Sequence, residues 1–229
     1  MPVLIEIFHD QASGRLPTEA VHKGLALVAE YSGSILVTRE TRQIKLTDPT
    51  SDHVDTDKIR WPQLPANFSI ILTDRPLVSS FEEGAASRAN SVTASSLKSN
   101  RDRIAGRALI GVDVALISLH NSHPHNVPTT VAHELGHLFE ILLEDTASGH
   151  CPRDECIMSA VVTKQTTKTI DTSTLSKRLK QRAGRPEFSY LETPSAVEFC
   201  GDCAEELAER GPIIAARMAL KTMRNFDKL

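Results

Sequence analysis

The chain has 229 residues, 40% of them hydrophobic and 24% charged, enough to bury one good core with at most a small subdomain beside it. No apolar stretch reaches membrane-spanning length, and a formal net charge of −3 argues against nucleic-acid binding as the main role. Neither a membrane nor a nucleic acid is therefore expected as a partner.

In chain order, Val3 to Phe8 reads as a strand, Thr18 to Tyr31 as an amphipathic helix and Ser34 to Thr38 as a second short strand. Phe68 to Leu72 reads as another, ahead of Pro76. The alternation predicts an α/β layer with helices on a sheet. From Ser79 to Arg107 the text is rich in Ser, Ala and Arg with little periodicity and reads as a long exposed loop. Ala108 to Leu119 is an apolar, β-prone run. His120, His123 and His125 follow in a Pro- and Asn-containing loop, where solvated histidines and metal ligands look alike.

The next segment is the most informative. His133-Glu134-Leu135-Gly136-His137 is expected by chance only ~0.02 times in a chain of this composition. On a helix, residues four apart share a face, so His133 and His137 can point ring nitrogens at one metal ion while Glu134 sits one step round, beside the metal. At about 100° per residue, Val131, Leu135, Leu138, Phe139, Leu142 and Leu143 gather on the opposite, core-facing side. The helix is expected to start at Thr129 or Thr130, just after Pro128, and to run to about Asp145, with Thr146 to Gly149 as its stop.

A catalytic zinc takes three protein ligands and keeps one position for water. His150 is the nearest downstream histidine, but a helix persisting to Asp145 climbs about 12 Å past His137, which makes the return taut. Glu144, Asp145 or an upstream histidine are the alternatives. All four cysteines fall in two close pairs, Cys151/Cys156 and Cys200/Cys203. Each pair offers two thiolates to one side of a tetrahedral metal, and two disulfides are the alternative. Met1 to Asp10 lacks a basic segment and a long apolar run, so no signal peptide is expected and the thiols should stay reduced in the cytoplasm.

Between Ala160 and Pro186 lies a Thr- and Lys-rich basic stretch that reads as a solvated helix face or loop, or as a lining for acidic substrates. Tyr190 follows in a segment read as irregular and is a candidate for oxyanion stabilisation. Ala204 to Glu209 and Ile213 to Arg224 read as two packing helices broken at Gly211-Pro212.

The order His133-Glu134-x-x-His137, His150-Cys151, Cys156, Met158, then Cys200-x-x-Cys203 resembles the archaemetzincins, a branch of the metzincin zinc peptidases, over roughly Arg107 to Cys203. The resemblance implies a catalytic zinc on His133, His137 and His150, with Glu134 as the general base and Met158 in a methionine turn beneath the metal. It also implies a structural zinc on Cys151, Cys156, Cys200 and Cys203, so two Zn2+ per chain. The fold it implies is an α/β (α+β), metzincin-like domain over 1–229: a sheet and active-site helix in 1–145, and the third ligand, methionine turn, structural zinc and terminal helices in 146–229. In such proteins the strand at Ala108 to Leu119 is a sheet edge that pairs with an extended peptide. An internal strand with no substrate role is the alternative.

The chain departs from the family at Glu140, where a glycine is usual, and carries several extra residues before His150 as well as a longer spacer from Met158 to Cys200. The function expected is a monomeric zinc metallopeptidase acting on peptide or protein substrates, in which the metal activates water and Glu134 takes its proton. The alternative is a zinc-stabilised peptide-binding or scaffold protein with little turnover; the retained Glu134 disfavours it.

Overall fold

The computed structural model describes residues 2–11, 17–46, 53–57, 59, 67–78, 105–120, 125–141, 149–159, 163–169, 188–194 and 196–226. In chain order the elements are β1 (Val3–Asp10), α1 (Thr18–Ser32), β2 (Leu36–Ile44), β3 (Val54–Asp55), β4 (Phe68–Thr73), β5 (Leu77–Val78), β6 (Gly106–Leu109) and β7 (Val114–Ser118). They are followed by α2 (Val127–Leu138), β8 (Thr163–Thr169), β9 (Phe188–Pro194) and α3 (Gly201–Phe226).

Five strands form a mixed sheet in the order β2-β1-β4-β7-β6. The first four are parallel and β6 runs antiparallel along β7 at the edge. Strands β4 and β7 are buried at every position, as expected of strands covered on both faces, and this is why both read as continuous apolar text. Strand β1 is buried at six of its eight positions, and its side chains, like those of β4, point alternately to two core faces. Val3, Ile5 and Ile7 join Phe68, Ile70 and Leu72 in the main core, which α1, α2 and α3 complete through Val21, Leu25, Val131, Leu135, Leu207 and Ile214. Phe8 turns to the opposite face with Ile71, Val114 and Leu116. The main core also takes in Cys151, Cys156, Ile157 and Met158, so the cysteine loop packs on the same apolar interior as the sheet.

A buried ion pair fixes the carboxyl ends of the central strands. Arg75 donates from Nε to Asp10 Oδ2 at 2.9 Å, and Thr73 Oγ1 donates to the same oxygen at 3.0 Å. Ser118 Oγ donates to the Arg75 carbonyl at 2.9 Å, which ties in β7.

Four local expectations are corrected. The β-prone run ending at Leu119 is not one strand but a hairpin: Ile110–Val112 form a 3-10 turn, Asp113 adopts φ 57°, and β6 folds back on β7. The helix carrying His133 begins at Val127, with Pro128 inside its first turn, where a missing N–H costs no hydrogen bond. It ends at Leu138 rather than near Asp145. The two terminal helices are one continuous helix, α3, with Pro212 inside it. Cys203, Leu207, Ile214 and Met218 form one buried stripe through the break point. Gly211 lies so close to α1 that a Cβ there would meet the Ser32 carbonyl oxygen at 2.2 Å. Burial of the stripe thus overrides the local cost of the proline. Part of the basic stretch, together with the segment holding Tyr190, forms the antiparallel pair β8 and β9; 170–187 and most of 79–107 lie outside the described residues. No helix among the described residues is long and apolar enough to cross a membrane.

Candidate metal centres and active site

Helix α2 presents His133, Glu134 and His137, and how it ends decides whether a third ligand can reach them. Phe139 caps the helix, Glu140 donates its N–H to the His137 carbonyl at 3.0 Å, and Ile141 donates to the Gly136 carbonyl at 3.1 Å. This is the hydrogen-bond pattern of a Schellman ending, which needs a left-handed residue at the position of Glu140. Glu140 takes it, with φ 58°, and its carboxylate pairs with Arg217 on α3. Ile141 closes the motif by burying its side chain beside Gly136. The chain therefore turns immediately after the second histidine without a glycine, and no long helix has to be retraced.

Gly149, at φ 68°, sets the turn into His150. The rings of His133, His137 and His150 then converge, with centroids 4.8, 5.2 and 4.9 Å apart, and one ring nitrogen of each lies within 4.8 Å of the others. The Nε2 atoms of His133 and His137 are 3.2 Å apart. Two nitrogens on a tetrahedral zinc at about 2.0–2.1 Å would be about 3.3–3.4 Å apart, so the pair fits such an ion. His133 Nδ1–H donates to the Ile157 carbonyl at 2.7 Å, which leaves Nε2 bare and aimed at the cluster. Burial, together with the neighbouring His150, pushes the His133 imidazole down to about 4 against the Ile157 bond; burial and the other two rings push His137 to about 3. Both rings are neutral at physiological pH, the state a metal requires.

Of the alternatives for the third position, Glu144 and Asp145 lie outside the described residues, as does His123. Among the described residues His120 and His125 join no ligand cluster.

The second cluster gathers all four cysteines, Cys151, Cys156, Cys200 and Cys203, again with ligand atoms within 4.8 Å. None is in a disulfide. Cys151 Sγ and Cys200 Sγ lie 3.7 Å apart, against about 3.8 Å for the edge of a tetrahedral site with zinc–sulfur bonds of about 2.3 Å. Cys156 is the natural thiolate. A hydrogen bond from Cys203, with amide donors Cys200 N–H at 3.3 Å and Met158 N–H at 3.4 Å, pulls it down to about 5. Burial pushes Cys151 up to about 11, while Cys203 is raised because its thiol keeps its proton and donates a hydrogen bond to the Cys156 sulfur.

One loop joins the two clusters. His150 precedes Cys151, and Ile157 sits between Cys156 and Met158. The loop is closed by Cys151 N–H donating to the Met158 carbonyl at 2.8 Å, and Ile157 N–H donates to the Glu198 carbonyl at 3.0 Å. Met158 is fully buried beneath α2, so close that a Cβ on Gly136 would meet its Sδ at 2.3 Å.

Glu134 is 4% exposed and lies against the start of β6, where a Cβ on Gly106 would fall 2.6 Å from Oε1. Ser118 N–H donates to the Ala105 carbonyl at 2.8 Å, so the pairs Gly106/Ile117 and Ala108/Ala115 are the ones without mutual hydrogen bonds. Gly106 and Ala108 consequently turn their own N–H and C=O groups away from β7. Among the described residues no strand pairs with that edge.

Sequence reasoning overlooked the Ile157 carbonyl, Gly106 and the Arg217 partner of Glu140. The first two act through the backbone, which leaves no mark in residue type; a lone glycine opening an apolar run was the only available sign. Tyr190 lies in β9, not in an irregular segment.

The fold and the two clusters define a class: a mixed sheet whose edge strand borders a buried glutamate between two histidines, with a third imidazole on the following loop and a four-thiol group shared between that loop and the start of α3. The fold is that of the archaemetzincin from Methanopyrus kandleri, with TM-score 0.52 at 19% identity over 91% of this chain and 94% of that one. The archaemetzincin from Archaeoglobus fulgidus complexed with malonate gives TM-score 0.46 at 13% identity, over 88% of this chain and 99% of that one. A zinc-dependent peptidase from Methanocorpusculum labreanum gives 0.45 at 15%, over 89% and 99%. No protein-family model matches the sequence, and no curated protein matches it.

Proposed function

We propose that the chain is a zinc-dependent metallopeptidase of archaemetzincin type. The observation that carries this reading is the convergence of the His133, His137 and His150 imidazoles with Glu134 buried directly beside two of them. In it His133, His137 and His150 hold a catalytic zinc, and Cys151, Cys156, Cys200 and Cys203 hold a structural one. Zinc, when bound, supplies Lewis acidity: it makes water acidic enough to lose a proton near neutral pH and polarises a carbonyl.

The chain's own groups do the rest. Glu134 takes a proton from the attacking water and returns it to the leaving amine. The Ile157 carbonyl holds His133 in the tautomer that faces the metal, and Met158 gives α2 an apolar floor beneath the histidines. The outward backbone groups of Gly106 and Ala108 align an extended peptide along β6 whatever its sequence, which makes the substrate a peptide or protein segment. Glu140 supplies the turn that a glycine provides in the family, so the reading as a scaffold without turnover loses its main support.

The test is metal dependence. Chelator treatment should abolish cleavage of a peptide library and stoichiometric zinc should restore it; cleavage that survives removal of the histidine-bound metal would overturn the proposal.

A further inference from the structure

We propose that Gly106 is a positioning residue for Glu134: the edge strand carries no side chain at this point so that the carboxylate can lie flush against its backbone. The inference rests on the peptidase reading above. A Cβ at Gly106 would fall 2.6 Å from Glu134 Oε1, 2.7 Å from Cγ and 2.9 Å from Cδ. All three nearest atoms belong to one side chain, the proposed base. Backbone freedom does not account for the glycine, because among the described residues only Gly33 and Gly149 are glycines with positive φ. Glycine inside a strand weakens it and marks a close approach by another group, and here the approaching group is Glu134.

The same residue turns its N–H and C=O to the edge that no strand among the described residues pairs with. The group that takes the proton and the backbone that docks the peptide therefore meet at one residue. The peptide unit bonded to Gly106 is the one next to the base, and the contact sets the register of the scissile bond against Glu134. A methyl at Gly106 would push the carboxylate out of line while leaving the three histidines in place.

Gly106→Ala should keep its zinc affinity and nearly its KM, lose kcat by on the order of 10- to 100-fold, and shift the acidic limb of its pH profile. Gly111→Ala, on the same hairpin with open space around it, should change none of these. A thermal-melting cycle gives a readout independent of turnover. Gly106→Ala should lower Tm when Glu134 is present and leave it nearly unchanged in the Glu134→Ala background, because truncation removes the three atoms nearest the methyl. Failure of the single variant to fold, with rescue by Glu134→Ala, would support the inference equally. Unchanged kcat and pH profile in Gly106→Ala, or an equal Tm loss in both backgrounds, would overturn it. If Glu134→Ala itself retains full cleavage, the general-base reading fails, while the melting cycle still decides whether Gly106 holds Glu134.

Discussion

Acidification should unfold the metal-free protein through two histidines. In the folded chain His133 and His137 lie at about 4 and about 3, both depressed first by burial, against 6.5 for an unperturbed imidazole. Between those values the unfolded chain binds more protons than the folded one, so stability rises with pH and is lost as pH falls below 6.5. A tenfold difference in proton affinity between the folded and unfolded chain corresponds to about 1.4 kcal/mol, so at about pH 5 each histidine removes about 2 kcal/mol and the two together about 4 kcal/mol. Against a total stability of about 5–15 kcal/mol, that is a large fraction. Carboxylates titrate mostly at lower pH, which leaves this window to histidine. The assay is the urea midpoint of chelator-treated protein from neutral pH to about pH 5, with His137→Asn expected to lose about half of the dependence. A midpoint flat across the window would refute the burial argument for both rings.

Other substitutions probe the frame around the site. Arg75→Ala leaves Asp10 buried without its ion-pair partner and should cost about 3–5 kcal/mol, read by calorimetry. Gly136→Ala drives a methyl into Met158 Sδ; overpacking should cost about 1–3 kcal/mol and weaken zinc binding at the histidines, measured by chelator competition. Cys156→Ser removes one thiolate from the loop that also carries His150 and the Ile157 carbonyl. It should therefore lose the cysteine-bound zinc and weaken the histidine-bound zinc by about 10-fold or more.

The clustering of the site's side chains was legible because residue type and spacing carry it: two histidines on one helical face, and two close cysteine pairs. Its timing along the chain was not. Leu142 and Leu143 extend the apolar stripe of the helix, so periodicity carried it to Asp145, whereas the chain stops it at Leu138 by placing Glu140 in a left-handed conformation. A glycine would have announced that stop. A glutamate there costs about 1–2 kcal/mol, held by the Schellman bonds, the burial of Ile141 and the Arg217 pair.

The parallel strands were readable because full burial leaves an unbroken apolar run, as in β4 and β7. The hairpin and α3 were misread for opposite reasons. Gly111 to Asp113 turn the chain inside a run that looked uniform, while Gly211-Pro212 fail to break a helix whose buried stripe continues past them.

The central claim, that this chain hydrolyses peptide bonds with Glu134 as base, is tested most directly by comparing zinc-loaded wild type with Glu134→Gln on the same peptide library at equal measured zinc. The account predicts that wild type cleaves and that the variant keeps its metal but loses at least about 100-fold in rate. Equal cleavage by the two proteins, or none by the fully zinc-loaded wild type, would contradict it.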